Sequence, residues 1–131
     1  MKINKTIILG MILMLSACSQ PVNTKVSHPS STSVEKFKSD IADGIVVVDF
    51  FGTWCGPCKR FAPTFVKVSD AYPNMTFIKV DIDQYREIAK AYGVRSLPTL
   101  VMFKGGTKVA TQVGAMSEID FKAWINKWAK K

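Results

Sequence analysis

Apolar and polar positions along this chain fall into blocks whose period changes from element to element. Ile45-Val46-Val47-Val48-Asp49-Phe50-Phe51 is a β-branched and aromatic run broken by one carboxylate. Such a run reads as a strand buried on both faces, at the centre of a largely parallel sheet. Phe61, Phe65, Val68 and Tyr72 then recur at i, i+4, i+7 and i+11, one apolar face of a helix. Pro63 lies inside that helix and bends it, because its ring removes a backbone donor. Thr76-Phe77-Ile78-Lys79-Val80-Asp81 predicts a second inner strand, and Tyr85 to Tyr92 a short helix stopped by Gly93. Thr99 to Phe103 and Lys108 to Val113 flank Lys104-Gly105-Gly106-Thr107, a hairpin signature. The last helix opens near Ser117, with Glu118 and Asp120 favourable in its first turn. Its apolar face is Phe121, Trp124, Ile125 and Trp128.

Upstream, Thr32-Ser33-Val34-Glu35 has the form of a capping box with Thr32 as N-cap, opening a helix from Ser33 to Ala42 that Gly44 closes. Residues 18–32 are rich in Ser, Thr, Asn and Pro and read as a flexible tether. A short edge strand fits around Thr24 to His28, ended by Pro29. Helices alternating with inner strands, then a hairpin and a final helix, describe an α/β fold: a three-layer α/β/α sandwich around a central mixed β-sheet.

Composition narrows the classes. The 131 residues are 47% hydrophobic and 21% charged, which suits one globular domain with a real core. Sixteen of the eighteen basic residues and all ten acidic ones lie after position 18, a balance of +6. These charges are interleaved, with no basic stripe bearing aromatic residues, so a nucleic-acid surface is not expected. The first residues stand apart. Lys2 and Lys5 precede a short apolar run from Ile7 to Leu15 and then Ser16-Ala17-Cys18, the pattern of a secretory signal peptide. The run is shorter than the roughly 20 residues a spanning helix needs. Leu15-Ser16-Ala17-Cys18 resembles the bacterial lipobox, which implies lipidation of Cys18. The expected organisation is a signal peptide with lipobox over 1–17, a lipidated N-terminus and tether over 18–32, and the folded domain over 33–131. It places the chain in an exported state, lipid-anchored to a bacterial membrane and facing the periplasm or cell exterior. Ser19 after the cysteine permits outer-membrane sorting by the same resemblance.

Two thiols remain. Cys55 and Cys58 stand directly after the central strand and before the amphipathic helix. Structural zinc commonly takes two such pairs, and one pair with one remote histidine, His28, argues against it. A purely structural disulfide normally closes a long loop, whereas this one spans three positions. Thiol–disulfide exchange fits the setting best. At a helix N-terminus Cys55 meets unpaired backbone N–H groups that favour its thiolate. It attacks a substrate disulfide, and Cys58, one turn on, attacks back and releases the product. Gly56 allows close approach, and Pro57 is tolerated in a first helical turn.

Trp54-Cys55-Gly56-Pro57-Cys58-Lys59 resembles the active-site motif of the thioredoxin family residue for residue. The likeness continues through Val48-Asp49-Phe50, Ala62-Pro63, Lys79-Val80-Asp81, Gly93-Val94-Arg95-Ser96-Leu97-Pro98-Thr99, Lys104-Gly105-Gly106 and Val113-Gly114-Ala115, over roughly residues 33 to 129. The resemblance implies a thioredoxin fold and further roles. Asp49 would be a buried proton acceptor for Cys58, and Lys79 the lysine beside it. Pro98 would be a cis-proline facing the thiols, and the Leu97 backbone would pair with an extended substrate. Trp54, Gly56, Pro57, Gly114 and Ala115 would border the substrate seat. Phe51 and Gly52 depart from the Trp and Ala common in cytosolic members. Before Ser33 the family's first strand is poorly matched. The reading that results is a membrane-tethered, extracytoplasmic thiol–disulfide oxidoreductase, monomeric and without cofactor or metal. The Gly-Pro dipeptide implies a reductant of disulfide-containing proteins, re-reduced by a transmembrane thiol reductase. The alternatives are a disulfide oxidase or isomerase, or a non-catalytic binding or chaperone module.

Overall fold

The computed structural model describes residues 25–131. In chain order these form β1 (Val26–Ser27), α1 (Val34–Asp40), β2 (Ile45–Phe51), α2 (Gly56–Asp70), β3 (Thr76–Asp81), α3 (Arg86–Ala91), β4 (Thr99–Lys104), β5 (Thr107–Val113) and α4 (Glu118–Ala129). The expected signal peptide, the expected lipidation site Cys18 and the first part of the expected tether lie outside the described residues.

The apolar run of β2 takes the middle of a five-stranded sheet with the order β1-β3-β2-β4-β5. It pairs in parallel with β3 and antiparallel with β4, so the sheet is mixed. The short edge strand near Thr24 to His28 forms as β1, which runs parallel to β3 through Val26 and Ser27. The β4–β5 hairpin turns on Gly105 and Gly106, at φ 54° and 80°. Two successive positive φ values belong to a turn in which a side chain would be strained. Ser33, not Thr32, caps α1: its extended backbone lets the hydroxyl oxygen accept the N–H of Lys36 at 3.4 Å. Adjacent hydroxyl residues offer the same chemistry one position apart, and Thr32 is left exposed.

Alternation along β2 divides the core in two. Val46, Val48 and Phe50 pack with Phe37, Ile41, Ile88 and Phe103 against α1 and α3. Val47 lies on the other face, with Phe61, Phe65, Phe77, Leu100, Phe121 and Ile125 under α2 and α4. Asp49 has the parity of Val47 and therefore points toward the α2 layer. That layer is an aromatic cluster. Phe121 meets Phe61 edge-on at 5.3 Å and stacks on Phe65 at 5.8 Å, and Phe65 meets Phe77 edge-on at 5.5 Å. Because Phe121 is fully buried between α2 and α4, Phe121→Ala is expected to lower the unfolding free energy by about 3–5 kcal/mol. Denaturant titration should show a lower midpoint at an unchanged slope.

Candidate active site

After β2 the chain makes one tight turn, with the Cys55 N–H donating to the Gly52 carbonyl at 3.1 Å, and α2 begins at Gly56. Cys55 is the N-cap. Its backbone is extended (φ −85°, ψ 112°) and its Sγ accepts the backbone N–H of Cys58 at 3.2 Å. A sulfur thus fills the place that a Ser or Asp oxygen usually takes. Pro57 occupies the first turn, where its missing donor has no intrahelical acceptor. Cys55 and Cys58 are joined as a disulfide, with Cα atoms 5.3 Å apart. Their exposures are close, 6% and 2%, so burial does little to distinguish the two thiols. What separates them is position: Cys55 lines a groove and Cys58 does not.

In the sheet, β2–β3 register sets Asp49 opposite Lys79. Lys79 Nζ donates to Asp49 Oδ2 at 2.8 Å, while Asp49 Oδ1 has no hydrogen-bond partner among the described residues. The ammonium also lies 4.3 Å from the centre of the Phe51 ring and 5.5 Å from that of Phe65, a cation–π setting. Burial pushes the Asp49 carboxyl above the usual carboxylate range, and the charge and hydrogen bond of Lys79 oppose that rise only in part. A half-satisfied carboxylate of raised proton affinity can accept a proton from a thiol.

The groove holds about 400 Å³. Cys55, Gly56 and Pro57 line it with Trp54, and the rest of the lining is Ile82, Val94, Arg95 and Leu97. Trp54 is 65% exposed, and its indole Nε1 donates to Asp83 Oδ2 at 2.8 Å. Its ring lies so close to Gly52 that a Cβ there would sit 2.9 Å from Cε2. The Leu97–Pro98 peptide is cis, and the Pro98 carbonyl accepts the Gly114 N–H at 2.8 Å. That bond ties the end of the hairpin to the proline, although Gly114 and Ala115 do not line the groove. Sequence reasoning passed over Ile82, Val94, Arg95 and Asp83. Val94 and Arg95 stood in the matched Gly93–Thr99 stretch, but spacing alone does not say which side chains face a groove. His28 meets the backbone of Lys79, its Nδ1 3.0 Å from that carbonyl oxygen. Among the described residues no group of three or more His, Cys, Asp and Glu could hold a metal ion.

Asp49 carries a pH dependence of defined sign. Its folded-state affinity for a proton exceeds the value of 3.8 from which it is raised, so the native chain binds more protons in the window above that pH. The corresponding stability is fully present below pH 3.8 and is lost as pH climbs through the raised folded value. Asp49→Asn, in the oxidised protein, is therefore expected to be more stable than wild type near neutrality. The difference should shrink as pH falls toward 4, which urea unfolding across pH 4 to 8 measures.

The thioredoxin family model matches residues 28–127. Thioredoxin-1 of Schizosaccharomyces pombe is 52% identical over 81 residues, covering 61% of this chain and 79% of the yeast protein. Thioredoxin-2 of Pyricularia oryzae is 44% identical over 92 residues, covering 70% of this chain; that match spans only 54% of the fungal relative's length. A crystal structure of Malassezia sympodialis thioredoxin superposes with a TM-score of 0.70 at 41% identity, covering 79% of this chain and 93% of the other. These findings correct the expected localisation. The relatives that overturn it are thioredoxins of Schizosaccharomyces pombe, Saccharomyces cerevisiae, Pyricularia oryzae and Plasmodium falciparum, and the family match begins at residue 28. Among the described residues no helix is long and apolar enough to cross a membrane. Export with lipid anchoring to a bacterial membrane is accordingly withdrawn, and with it the reason for a transmembrane electron donor. By its family model, its fold and its Cys-Gly-Pro-Cys site, the chain belongs to the thioredoxin family of thiol–disulfide oxidoreductases.

Proposed function

We propose that the protein works as a monomeric reductant of protein disulfides, with Cys55 as nucleophile and Cys58 as resolving thiol. The observation that carries this reading is the N-cap geometry: Cys55 Sγ accepts a helix N–H, lines the groove, and is bonded to Cys58 one turn on. In the reduced state the same N–H and the helix N-terminus stabilise the Cys55 thiolate. The thiolate attacks one sulfur of a substrate disulfide. A bond forms between Cys55 and that sulfur, the substrate bond breaks, and the second substrate sulfur leaves as a thiolate that takes a proton from water. Asp49 then accepts the Cys58 proton, and Cys58 attacks Cys55 Sγ. The Cys55–Cys58 bond forms as the first substrate sulfur departs, and two electrons have passed to the substrate.

The other residues support this cycle. Lys79 holds Asp49 through one oxygen and leaves the other free for the proton. Trp54, Gly56 and Pro57 wall the groove at the nucleophile, and the Leu97 backbone offers strand-like pairing to an extended substrate. Pro98, tied to Gly114, fixes the loop that carries Leu97, with Ala115 next to it. Every group in the cycle comes from one chain. Reduction is favoured over oxidation by the Gly56-Pro57 dipeptide, which in the resembling family accompanies reducing members. The donor that restores the dithiol is defined chemically, as a dithiol couple of lower potential.

Insulin reduction driven by dithiothreitol tests the assignment. Wild type should accelerate precipitation of the insulin B chain, and Cys55→Ser should fall to the rate with dithiothreitol alone. Cys58→Ser should accumulate a mixed disulfide on Cys55, visible by mass spectrometry without reductant. Full turnover by Cys55→Ser would overturn the reading. Equilibration with glutathione should place the site on the reducing side of that couple, and the opposite result would make it an oxidase.

A further inference from the structure

Two guanidinium groups flank the groove, and the thiol chemistry uses neither. Arg95 is exposed and lines the wall that follows α3. Arg60 is exposed on α2, and its Nη1 would lie 3.4 Å from a Cβ placed on Gly56, so it rests against the glycine lining the helix side. Among the described residues the ion pairs are those of Lys67, Lys79 and Lys122, and neither arginine takes part in one. Lys59 adds an exposed cation directly after the motif. The acid beside the groove, Asp83, is already engaged by the Trp54 indole.

From this arrangement we infer that the groove selects disulfides whose attacked cysteine is flanked by Glu or Asp, with Arg95 and Arg60 as the specificity-determining residues. The inference rests on reading the groove as the substrate seat. A guanidinium presents a planar fork of donors matched to a carboxylate, and it stays charged throughout the working pH range. A substrate held by strand-like pairing along Leu97 projects alternate side chains to one side, which puts the residues two before and two after its cysteine on the groove side, toward the arginines. A lysine there meets like charge and is rejected.

The test uses three synthetic peptides with one intramolecular disulfide each, identical except for Glu, Gln or Lys two positions before and two positions after the first cysteine. The full-length protein reduces them with dithiothreitol as electron source, and the rate with dithiothreitol alone is subtracted. Wild type should favour the Glu peptide over the Lys peptide in kcat/KM by about five- to tenfold at low salt. The ratio should fall toward one at high ionic strength. In the R60Q/R95Q variant it should collapse at low salt, and in R60E/R95E it should invert, a result that loss of folding cannot mimic. Equal rates for the Glu and Lys peptides with wild type, or a ratio kept in R60Q/R95Q, would overturn the inference while insulin reduction still stood. No reduction of any peptide or of insulin would remove the reductase reading and the inference together.

Discussion

A carboxylate enclosed in an apolar sheet is the constraint on which this molecule turns. Asp49 sits on the central strand with no exposed surface, one oxygen held by Lys79 and the other without a partner. Taking a charge from water costs roughly several kcal/mol per ion even after relaxation, and a single ion pair offsets that only in part. The arrangement therefore makes poor sense as a contribution to stability. The role proposed for it is that of a proton site, with the stability supplied by the aromatic cluster around Phe121 and Phe65. Lys79 is restrained in turn by the Phe51 ring face, so the aromatic residue at the end of β2 is tied to the same electrostatic unit.

The thiols owe their difference to the change from strand to helix. β2 ends, the backbone turns once, and α2 begins with a sulfur in the capping position. At that point peptide dipoles and free N–H groups converge, so charge on Cys55 is favoured, while Cys58 is already within the helix and out of the groove. Strand, turn and helix thus give two chemically identical side chains different surroundings, which is the basis of the roles proposed for them.

Much of this was legible along the chain because local signals agreed with one another. The bounds of β2 and β3, the Gly105-Gly106 turn and the apolar face of α2 follow from period and turn chemistry. The strand numbers also place Asp49 and Lys79 each in mid-strand. That they meet is a matter of β2–β3 register, which no single stretch contains, and only the family resemblance suggested it. The N-cap of α1 fell one residue from its expected place because Thr32 and Ser33 are interchangeable by composition. The groove wall at Ile82 and Val94 comes from loops, whose side-chain directions carry no periodic signal. The leader misled for the opposite reason: a positive start, an apolar run and Ser16-Ala17-Cys18 make a compact local pattern, but local pattern does not decide where a folded domain resides.

The missing Cβ at Gly52 has a consequence for how this site can vary. The Trp54 indole occupies the space that any larger residue at position 52 would need, and it does so while holding its hydrogen bond to Asp83. Positions 52, 54 and 83 therefore form one epistatic unit. A side chain added at 52 requires the indole to shift, and the shift bears on its bond to Asp83. Substitutions within such a set are non-additive, so the effect of any one of them depends on which residues already stand at the other two.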